Sequence, residues 1–498
     1  MPRLVVAFCC AFAALGSFLF GYDSGIIGSV IAIPASIAHI GHGELSDNAT
    51  GGIVSAYTGG AIVGSLVVSF LADRFGRRMA IFVGSLFAAL GGAVQGGANS
   101  IAAMVVGRLI AGFAIGMLSA TIPNYCSEVA TPDIRGLLGG MQQWMLGLGF
   151  VVAQWVGYGA SQATGPFSWR FPLSLQVLPA LILSAGILSL PESPRWLLEH
   201  GRVSEAQTVL EKLHLNRARS NVDFVALEFQ EIRDVIMAEK AAISSVSWRM
   251  MFRNAPYRRR LILACGIQAL TQTSGINVIN YYGPRIYATL GVSVSTSLFI
   301  IGVYGAFAQV WNTVCLAVLD RIGRKKLLVP SMFGMGAALC VNATLAHYFD
   351  PETSTNQNAL RASVSMNFVF SIFFTSLGVI SWVYPAEIMS TAIRARGTSL
   401  STVTNWSLNL LFAQCSPMAL SRLGYRYFYV FAALNWTGGV LIYLFYPETL
   451  GRTLEQLDEL FGDQRVAHAL KESTPPTGEA SNNDGKHEAS ANVDSVMV

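Results

Sequence analysis

Two charged segments decide the fold, LADRFGRR at residues 71–78 and LDRIGRKK at residues 319–326, because they are near copies of one another. Two more motifs recur in the same order in each half of the chain: SEVATPDIRG (127–136) with AEIMSTAIRARG (386–397), and PESPRW (191–196) with PETLGR (447–452). The equivalent acids of the three motifs lie 247, 259 and 256 residues apart. A repeat period of about 255 residues predicts a chain of two related halves.

Composition places these halves in a membrane. The 498 residues are 52% hydrophobic and 12% charged, and the mean hydropathy is +0.48, well above the composition of soluble proteins. Apolar stretches of about 20 residues, long enough to cross a bilayer as helices, recur about twelve times. The first lies near 4–22, and the run continues to Ile40 without a cleavage site, which disfavours a signal peptide. We predict an all-α membrane protein with twelve transmembrane helices in two six-helix bundles.

The distribution of positive charge predicts the orientation. With both termini in the cytoplasm, 27 of the 33 Lys and Arg residues fall in the tails and the cytoplasmic loops, which is a strong positive-inside bias. The segment between the halves is polar with helical patterning, and the C-terminal tail has too little apolar content to fold. We therefore predict an N-terminal bundle at 1–190, cytoplasmic linker helices at 191–259, a C-terminal bundle at 260–462 and a disordered cytoplasmic tail at 463–498.

The charged residues of the repeated motifs all fall on the cytoplasmic side, because six spans per half give both halves the same orientation. They are Asp73, Arg74, Arg77, Glu128, Arg135 and Glu192 in the first half and Asp320, Arg321, Arg324, Glu387, Arg394 and Glu448 in the second. We expect them to form a salt-bridge latch between the bundles that forms when the protein opens outward and breaks when it opens inward. The alternative is that these charges only anchor helix ends at the membrane interface.

The order and spacing of DRFGRR, EVATPDIRG, PESPRW, TSGIN, DRIGRK, WVYPAEI and PETLG resemble the sugar porter family of the major facilitator superfamily, and most closely its fungal branch. The resemblance runs from about residue 16 to 460. It implies a twelve-helix fold that binds monosaccharides in a central cavity near the middle of the membrane, as expected for parallel repeats.

A carboxylate inside the first span needs a partner, because an unpaired charge in a bilayer costs several kcal/mol. Asp23 is that acid, and Arg108 is the only basic residue within the spans of the first half. The resemblance implies that such an aspartate takes up the proton in proton-coupled members, whereas animal glucose facilitators have asparagine there. Asp23 with Arg108 therefore favours proton symport. A permanent structural ion pair is the alternative, and some yeast facilitators keep the acid.

Carboxamides in two apolar spans predict a polar cavity. Gln143 and Gln154 lie eleven residues apart in the fifth span, so both amides fall on one face of a helix; Gln154 equally fits a hydrogen bond between helices. In the seventh span, Gln268 and Gln272 are one turn apart, and Ser274-Gly275 weakens the helix just before Asn277. A broken helix beside carboxamides is typical of a substrate site at the membrane midplane.

The resemblance also assigns roles to individual residues. Gln143, Gln272, Asn277, Trp382, Asn405 and Trp406 would contact substrate, and Tyr281 and Tyr282 would lie toward the outer gate. The carboxamide pattern of the seventh span adds Gln268 to the predicted substrate residues. Interfacial anchoring is the alternative role for both tryptophans. This chain departs from the family at Thr271, at Ala308 and along Gly378–Trp382, where a glutamine, an asparagine and two prolines are expected. Because of these departures, the sequence predicts a sugar substrate more firmly than it predicts glucose.

The leading functional hypothesis is a proton-coupled monosaccharide importer of the plasma membrane that works as a monomer in the lipid bilayer. One alternative is a passive facilitator of the same substrates. Another is a proton-coupled transporter of a sugar acid, a quinate-like acid or a polyol. A nutrient sensor is disfavoured because the tail after residue 462 is short. An enzyme is disfavoured because the sequence has no nucleophile–base pair, metal-ligand cluster or phosphate loop, so we expect no cofactor and no nucleic acid partner.

Overall fold

Helices make up the described part of the chain, in which no strand occurs. The computed structural model describes residues 2–129, 135–218, 246–289, 292–349, 356–390, 392–450 and 454–462. The predicted tail at 463–498 and residues 219–245 of the predicted linker lie outside the described residues. Where the chain is described, the all-α prediction is confirmed.

The first half contains eleven described helices. They are α1 (Pro2–Ala13), α2 (Leu15–Val30), α3 (Pro34–Ile40), α4 (Asp47–Phe75), α5 (Arg77–Gly96), α6 (Ile101–Val129), α7 (Arg135–Ser161), α8 (Phe167–Leu175), α9 (Val177–Ile187), α10 (Pro194–Glu199) and α11 (Val203–Ala218). The helices α1 and α2 together form one span, as do α8 and α9. The first span was predicted too short at 4–22, since helix continues to Val30 and Asp23 lies well inside it.

The second half contains nine described helices. They are α12 (Trp248–Arg253), α13 (Ala255–Thr273), α14 (Ile276–Thr289), α15 (Val294–Ile322), α16 (Arg324–Tyr348), α17 (Gln357–Ile388), α18 (Arg394–Leu423), α19 (Arg426–Phe445) and α20 (Leu454–Phe461). The predicted break in the seventh span is confirmed, because α13 ends just before Ser274 and Gly275 has a positive φ of 94°. Only glycine adopts that conformation without strain.

Ten spans among the described residues are long and apolar enough to cross a membrane by length and composition. The helices α7 and α18, with 27 and 30 residues, occupy the places of the fifth and eleventh predicted spans. Together they give the twelve predicted membrane helices. Large apolar side chains such as Phe70, Leu109 and Leu444 are at least half exposed on the outside of the bundles, as expected for a surface that faces lipid.

Small residues set the spacing of α4 and α6. A Cβ added at Gly64 would lie 2.0 Å from the Phe113 carbonyl oxygen, and one added at Gly112 would lie 1.9 Å from the Tyr57 carbonyl oxygen. The two backbones are therefore in direct contact. Close van der Waals packing of this kind stabilises helix pairs in a membrane, where the hydrophobic effect does not drive their association. This contact brings α6, which carries Arg108, against Tyr57 of α4.

The repeated motifs build the same structure in both halves. Gly76 and Gly323 have φ of 97° and 102°, and each ends one helix and begins the next. The N–H of Arg77 donates to Glu192 Oε1 at 3.1 Å, and the N–H of Arg324 donates to Glu448 Oε1 at 2.8 Å. A carboxylate at a helix N-terminus satisfies amide groups that have no partner in the helix and opposes the helix dipole.

The two capping carboxylates differ in their surroundings. Burial raises the pKa of the Glu192 carboxyl, although the backbone amides of Ser193, Arg78 and Arg77 act to lower it. Burial also acts to raise the pKa of Glu448, but there four backbone N–H donors prevail and hold it below its ordinary value. Glu192, which caps α5 in the first half, is therefore more strongly desolvated than Glu448.

We expect Gly76→Ala to lower the melting temperature of the detergent-purified protein clearly more than Gly43→Ala. Both glycines have positive φ, at 97° and 112°, so both substitutions strain the backbone by about 1–3 kcal/mol. A Cβ at Gly76 would in addition lie 2.3 Å from Glu192 Oε2, whereas nothing lies within 4 Å at Gly43. Equal decreases in melting temperature would show that the clash with Glu192 adds nothing to the backbone strain.

Candidate functional site

Asp23 of α2 and Arg108 of α6 form an ion pair inside the first bundle. Arg108 Nη1 lies 3.0 Å from Asp23 Oδ1 and 3.1 Å from the Asp23 carbonyl oxygen. The two side chains are 2% and 0% exposed, so water does not screen their attraction. Asp23 Oδ2 and Arg108 Nε and Nη2 have no hydrogen-bond partner among the described residues. The pair predicted from the sequence is therefore brought together by the fold, with one carboxylate oxygen left over.

Several polar side chains that the sequence reasoning missed surround this pair. The Arg108 guanidinium carbon lies 4.3 Å from the centroid of the Tyr57 ring, and the Tyr57 hydroxyl lies 3.2 Å from Ser24 Oγ. Gln95 and Gln176 are buried beside the same carboxylate, with amide atoms outside hydrogen-bonding geometry. Carboxamides in apolar spans were the available signal, which Gln95 and Gln176 share with the fifth and seventh spans.

The broken seventh span brings predicted carboxamides together. Gln268 Nε2 donates to the Ser381 carbonyl oxygen at 2.8 Å, and Asn405 Nδ2 donates to Gln268 Oε1. Beyond the break, Asn277 Nδ2 donates to Gln272 Oε1. All four carboxamide side chains are buried, and they come from α13, α14 and α18. These two bonded pairs, whose glutamines are one turn apart on α13, make up the polar cluster of the second bundle.

The two tyrosines of α14 lie where the halves meet. The Tyr282 hydroxyl donates to the Ala413 carbonyl oxygen at 2.6 Å, and the Tyr281 hydroxyl lies 3.5 Å from Asn409 Oδ1. A Cβ at Gly28 of α2 would lie 3.0 Å from the carbonyl oxygens of Asn280 and Tyr281. The backbone of α14 therefore packs directly on α2 at this level.

The fifth-span glutamines have different surroundings. Gln143 is half-buried, whereas Gln154 is 1% exposed, with its Oε1 only 1.9 Å from the position of a Cβ at Gly305 of α15. Gln154 thus packs into a glycine gap of the other half, which favours the interhelical alternative for this residue. Gln309, next to Ala308, behaves in the same way, because its Nε2 donates to the Trp144 carbonyl oxygen at 2.9 Å.

Asn312 is a further polar residue of α15 that the sequence reasoning missed. Trp311 and Cys315 bond to α17, while Gln309 and Thr313 bond to α7. Asn312 lies on the strip between these two contact faces, on the same side as Ala308 one turn away. It is 7% exposed, and its Oδ1 has no hydrogen-bond partner among the described residues. This carboxamide therefore faces the centre of the molecule, and its spacing of four residues from Ala308 was the available signal.

The two predicted tryptophans differ most in exposure. Trp382 of α17 is 36% exposed, the highest value among the predicted substrate residues. Trp406 of α18 is 1% exposed and packs into the first half, with its ring 5.5 Å from that of Phe20 and 6.5 Å from that of Tyr57. Trp406 therefore joins the halves as well as lying beside the polar cluster.

The motif charges form ion pairs within each half. Arg77 Nε lies 3.1 Å from Glu128 Oε2, and Arg324 Nε lies 3.1 Å from Glu387 Oε1. Arg74 and Arg321 are exposed, Asp73 lies 3.6 Å from Arg77, and Arg394 Nη2 lies 3.5 Å from the Met389 carbonyl oxygen. The side chains of Arg135 and Asp320 lie outside the described residues. The latch between the bundles stays a prediction for a different conformation.

An ionic cluster of Asp47, Arg285 and Ser421 joins the two halves at the end of the bundles opposite to the motif charges. We call this end the far end. Arg285 Nη2 lies 2.7 Å from Asp47 Oδ1 and 2.7 Å from Ser421 Oγ, and Ser421 Oγ donates to Asp47 Oδ2 at 2.6 Å. Nearby, Ser55 Oγ donates to Gln414 Oε1 at 2.7 Å. These bonds link α4 to α14 and α18 and hold the far end together.

The two bundles have helices long enough to span a membrane, are joined at the far end by the ionic cluster, and carry buried polar side chains. These features define a multi-pass transport protein with the major facilitator fold. The chain belongs to the family described as Sugar (and other) transporter, which matches residues 9–461. Its fold resembles the partially occluded inward-open conformation of the xylose transporter XylE from E. coli, with a TM-score of 0.74 and 22% identity over 90% of this chain and 99% of that one.

Fungal relatives match nearly the whole chain. The MFS-type transporter criB of Aspergillus cristatus is 36% identical over 94% of this chain and 96% of its own length. The MFS glucose transporter mfs1 of Aspergillus flavus is 31% identical over 92% of this chain and 89% of its own. The first name specifies no substrate, whereas the second specifies glucose.

We expect Asp47→Asn to loosen the far end. The substitution removes the charge that holds Arg285 across the two halves, and partly exposed pairs of this kind contribute modestly. Amide hydrogen exchange in peptides covering Tyr281–Tyr287 should become a few-fold faster, because exchange reports local opening. Glu44→Gln, at an exposed acid before α4, is the matched control. Unchanged exchange in the Asp47 variant would contradict a sealing role for this cluster.

Proposed function

We propose that the protein imports a monosaccharide by alternating access and couples this import to protons. The observation that carries the proposal is the buried Asp23–Arg108 pair, in which one carboxylate oxygen has no partner among the described residues. Proton coupling needs a carboxylate that takes up and releases a proton. A guanidinium beside it stabilises the ionised form, so a buried pair of this kind suits a proton-coupled transporter. The family match and the named sugar transporters among the relatives support a sugar as the cargo.

The end that carries Glu192 and Glu448 is the cytoplasmic end in this proposal, with both termini in the cytoplasm and the protein in the plasma membrane. The positive-inside bias supports this orientation. The far end then faces outward, and the ionic cluster of Asp47, Arg285 and Ser421 closes the outer side. The resulting state is inward-facing, which agrees with the named conformation of the XylE structure.

The substrate site in this proposal lies between the halves, near the middle of the bilayer. Gln143 contributes from the first half, and Gln268, Gln272, Asn277 and Asn405 contribute from the second. Carboxamides both donate and accept hydrogen bonds, which matches the hydroxyl groups of a sugar. Trp382 and Trp406 offer apolar faces to the ring. The protein works as a monomer, since each chain carries both halves of the site.

Asn312 extends this site on the second half. The family's asparagine is absent at Ala308, and Asn312 supplies a carboxamide one turn along the same side of α15, or about 6 Å away. A displaced carboxamide would read a different hydroxyl group of the substrate. This displacement keeps sugar acids, quinate-like acids and polyols open as cargo, alongside the departures at Thr271 and Val379.

We expect Asp23→Asn to abolish accumulation against a gradient while leaving exchange or downhill flux. Moving one charge is worth about 2.3 kcal/mol per 100 mV, which corresponds to about fifty-fold accumulation, whereas an uncoupled carrier stops at equal concentrations. The measurement is uptake of labelled hexoses, pentoses, galacturonate, quinate and polyols in transporter-null cells, with and without a protonophore. Glu211→Gln, on the exposed side of α11, is the control.

Two outcomes of that uptake experiment would count against the proposal. Wild-type protein that equilibrates its cargo without accumulation, and ignores the protonophore, is a facilitator. Wild-type protein that moves none of the labelled compounds is not a sugar transporter.

We expect Asn312→Ala to weaken binding of the transported compound by about tenfold, as for a buried polar group left without its partner. The analogue that lacks the hydroxyl group bonded by Asn312 should bind wild type more weakly than the parent compound does, because the buried carboxamide is left unpaired. The variant should bind the parent compound and this analogue alike. Competition by a series of monodeoxy analogues measures this. Gln309→Ala, which removes a bond to α7 instead, should keep the wild-type pattern of preferences. An unchanged pattern in the Asn312 variant would remove it from the site.

A further inference from the structure

Tyr57 lies between the acid–base pair and the second half of the chain. The side chain is completely buried, and the Arg108 guanidinium carbon lies 4.3 Å from the centroid of its ring. The hydroxyl lies 3.2 Å from Ser24 Oγ, beside Asp23 in the sequence. The same ring meets Trp406 of α18 edge-on, with 6.5 Å between the ring centroids. One aromatic ring thus contacts the ion pair of the first half and a helix of the second.

The contacts continue from Trp406 to the carboxamide cluster. Asn405 immediately precedes Trp406 in α18, and its Nδ2 donates to Gln268 Oε1 on α13. Gln268 in turn donates to the Ser381 carbonyl oxygen of α17. A displacement of the Tyr57 ring would therefore act on α18 at the turn that orients Gln268.

The forces on Arg108 depend on the charge of Asp23. While Asp23 is ionised, the guanidinium is attracted both to the carboxylate and to the negative face of the Tyr57 ring. When Asp23 takes up a proton, the attraction to the carboxylate largely disappears. The ring face and the Asp23 carbonyl oxygen, 3.1 Å from Arg108 Nη1, then remain as its partners. The position of Arg108, and of the ring beneath it, should therefore respond to protonation.

We propose that Tyr57 is the positioning residue through which protonation of Asp23 changes the affinity of the second half for its sugar. This inference rests on the proposed proton-coupled function and names the side chain that links its two ligands. By thermodynamic reciprocity, a proton that strengthens sugar binding is itself bound more strongly when the sugar is present.

Other groups near the pair do not change charge in the relevant range. The Tyr22 hydroxyl of α2 donates to the Pro172 carbonyl oxygen, and the Tyr281 hydroxyl of α14 lies near Asn409. Gln95 of α5 and Gln176 between α8 and α9 are neutral amides. Tyrosine hydroxyls titrate near pH 10 in their ordinary range, about 3 units above neutrality. Asp23 is therefore the group whose charge responds to acidification at this site.

The test is the pH dependence of sugar affinity in the purified full-length protein, measured by calorimetry with the sugar that the uptake panel identifies. Wild-type affinity should rise as pH falls from neutral to acid. Tyr57→Leu should flatten this dependence to within about twofold, because coupling between two ligands is lost when the element they share is removed. Tyr57→Phe, which keeps the ring, should retain most of it.

Matched variants separate coupling from simple loss of packing. Tyr125→Leu removes an equally buried tyrosine of the first half, whose hydroxyl donates to the Pro191 carbonyl oxygen, and it should keep the wild-type pH dependence. In an Asp23→Asn background, Tyr57→Leu should have no further effect on the pH dependence. If Tyr57→Leu does not fold, Tyr57→Met, which also removes the ring, carries the same expectation.

The outcomes are distinguishable from failure of the proposed function. Wild-type protein that binds no sugar contradicts sugar transport, and wild-type affinity that ignores pH contradicts proton coupling. A Tyr57→Leu variant with the pH dependence of wild type would overturn the role of Tyr57 alone. Equal flattening by Tyr125→Leu would do the same.

Discussion

The ion pair of Asp23 and Arg108 is the constraint on which the rest of the structure depends. Two charges removed from water are tolerated only if their mutual attraction offsets the lost hydration. The glycine contacts between α4 and α6 make this possible, because they bring Arg108 close enough to Tyr57 for the ring to share the guanidinium charge. The pair thus links the packing of the first bundle to the chemistry at its centre.

Each bundle holds its own motif charges. In the first half, Glu192 caps α5 and Arg77 pairs with Glu128. In the second half, Glu448 caps α16 and Arg324 pairs with Glu387, so none of these contacts crosses between the halves. A movement of one half against the other leaves these contacts intact, as in rigid-body transitions between packed units. The repeat therefore gives each half its own set of motif contacts.

Amides, hydroxyls and one ionic cluster supply many of the bonds between the halves. Gln309 bonds to Trp144 near the middle, and Asp47, Arg285 and Ser421 meet at the far end. Contacts of this kind have modest net energies, because the same groups bond well to water when they separate. Such an interface can open and close, whereas an extensive apolar one would resist separation. Apolar contacts between the halves occur as well, such as those of the buried Trp406 with Tyr57 and Phe20.

Composition and periodicity determined the elements of this protein without reference to its three-dimensional structure. Helix formation and membrane crossing depend on local hydrogen bonding and on the transfer of each segment into lipid, so the spans, the repeat and the break at Gly275 could all be predicted. Asp23 and Arg108 could be paired because a buried charge demands a partner. Only the tertiary structure decided which faces meet: that Tyr57 covers Arg108, that Gln154 fits against Gly305, that Asn312 faces the centre and that Asp47 reaches Arg285. Those contacts depend on helix rotation and on the packing of residues 51 to 238 positions apart, which no local pattern encodes.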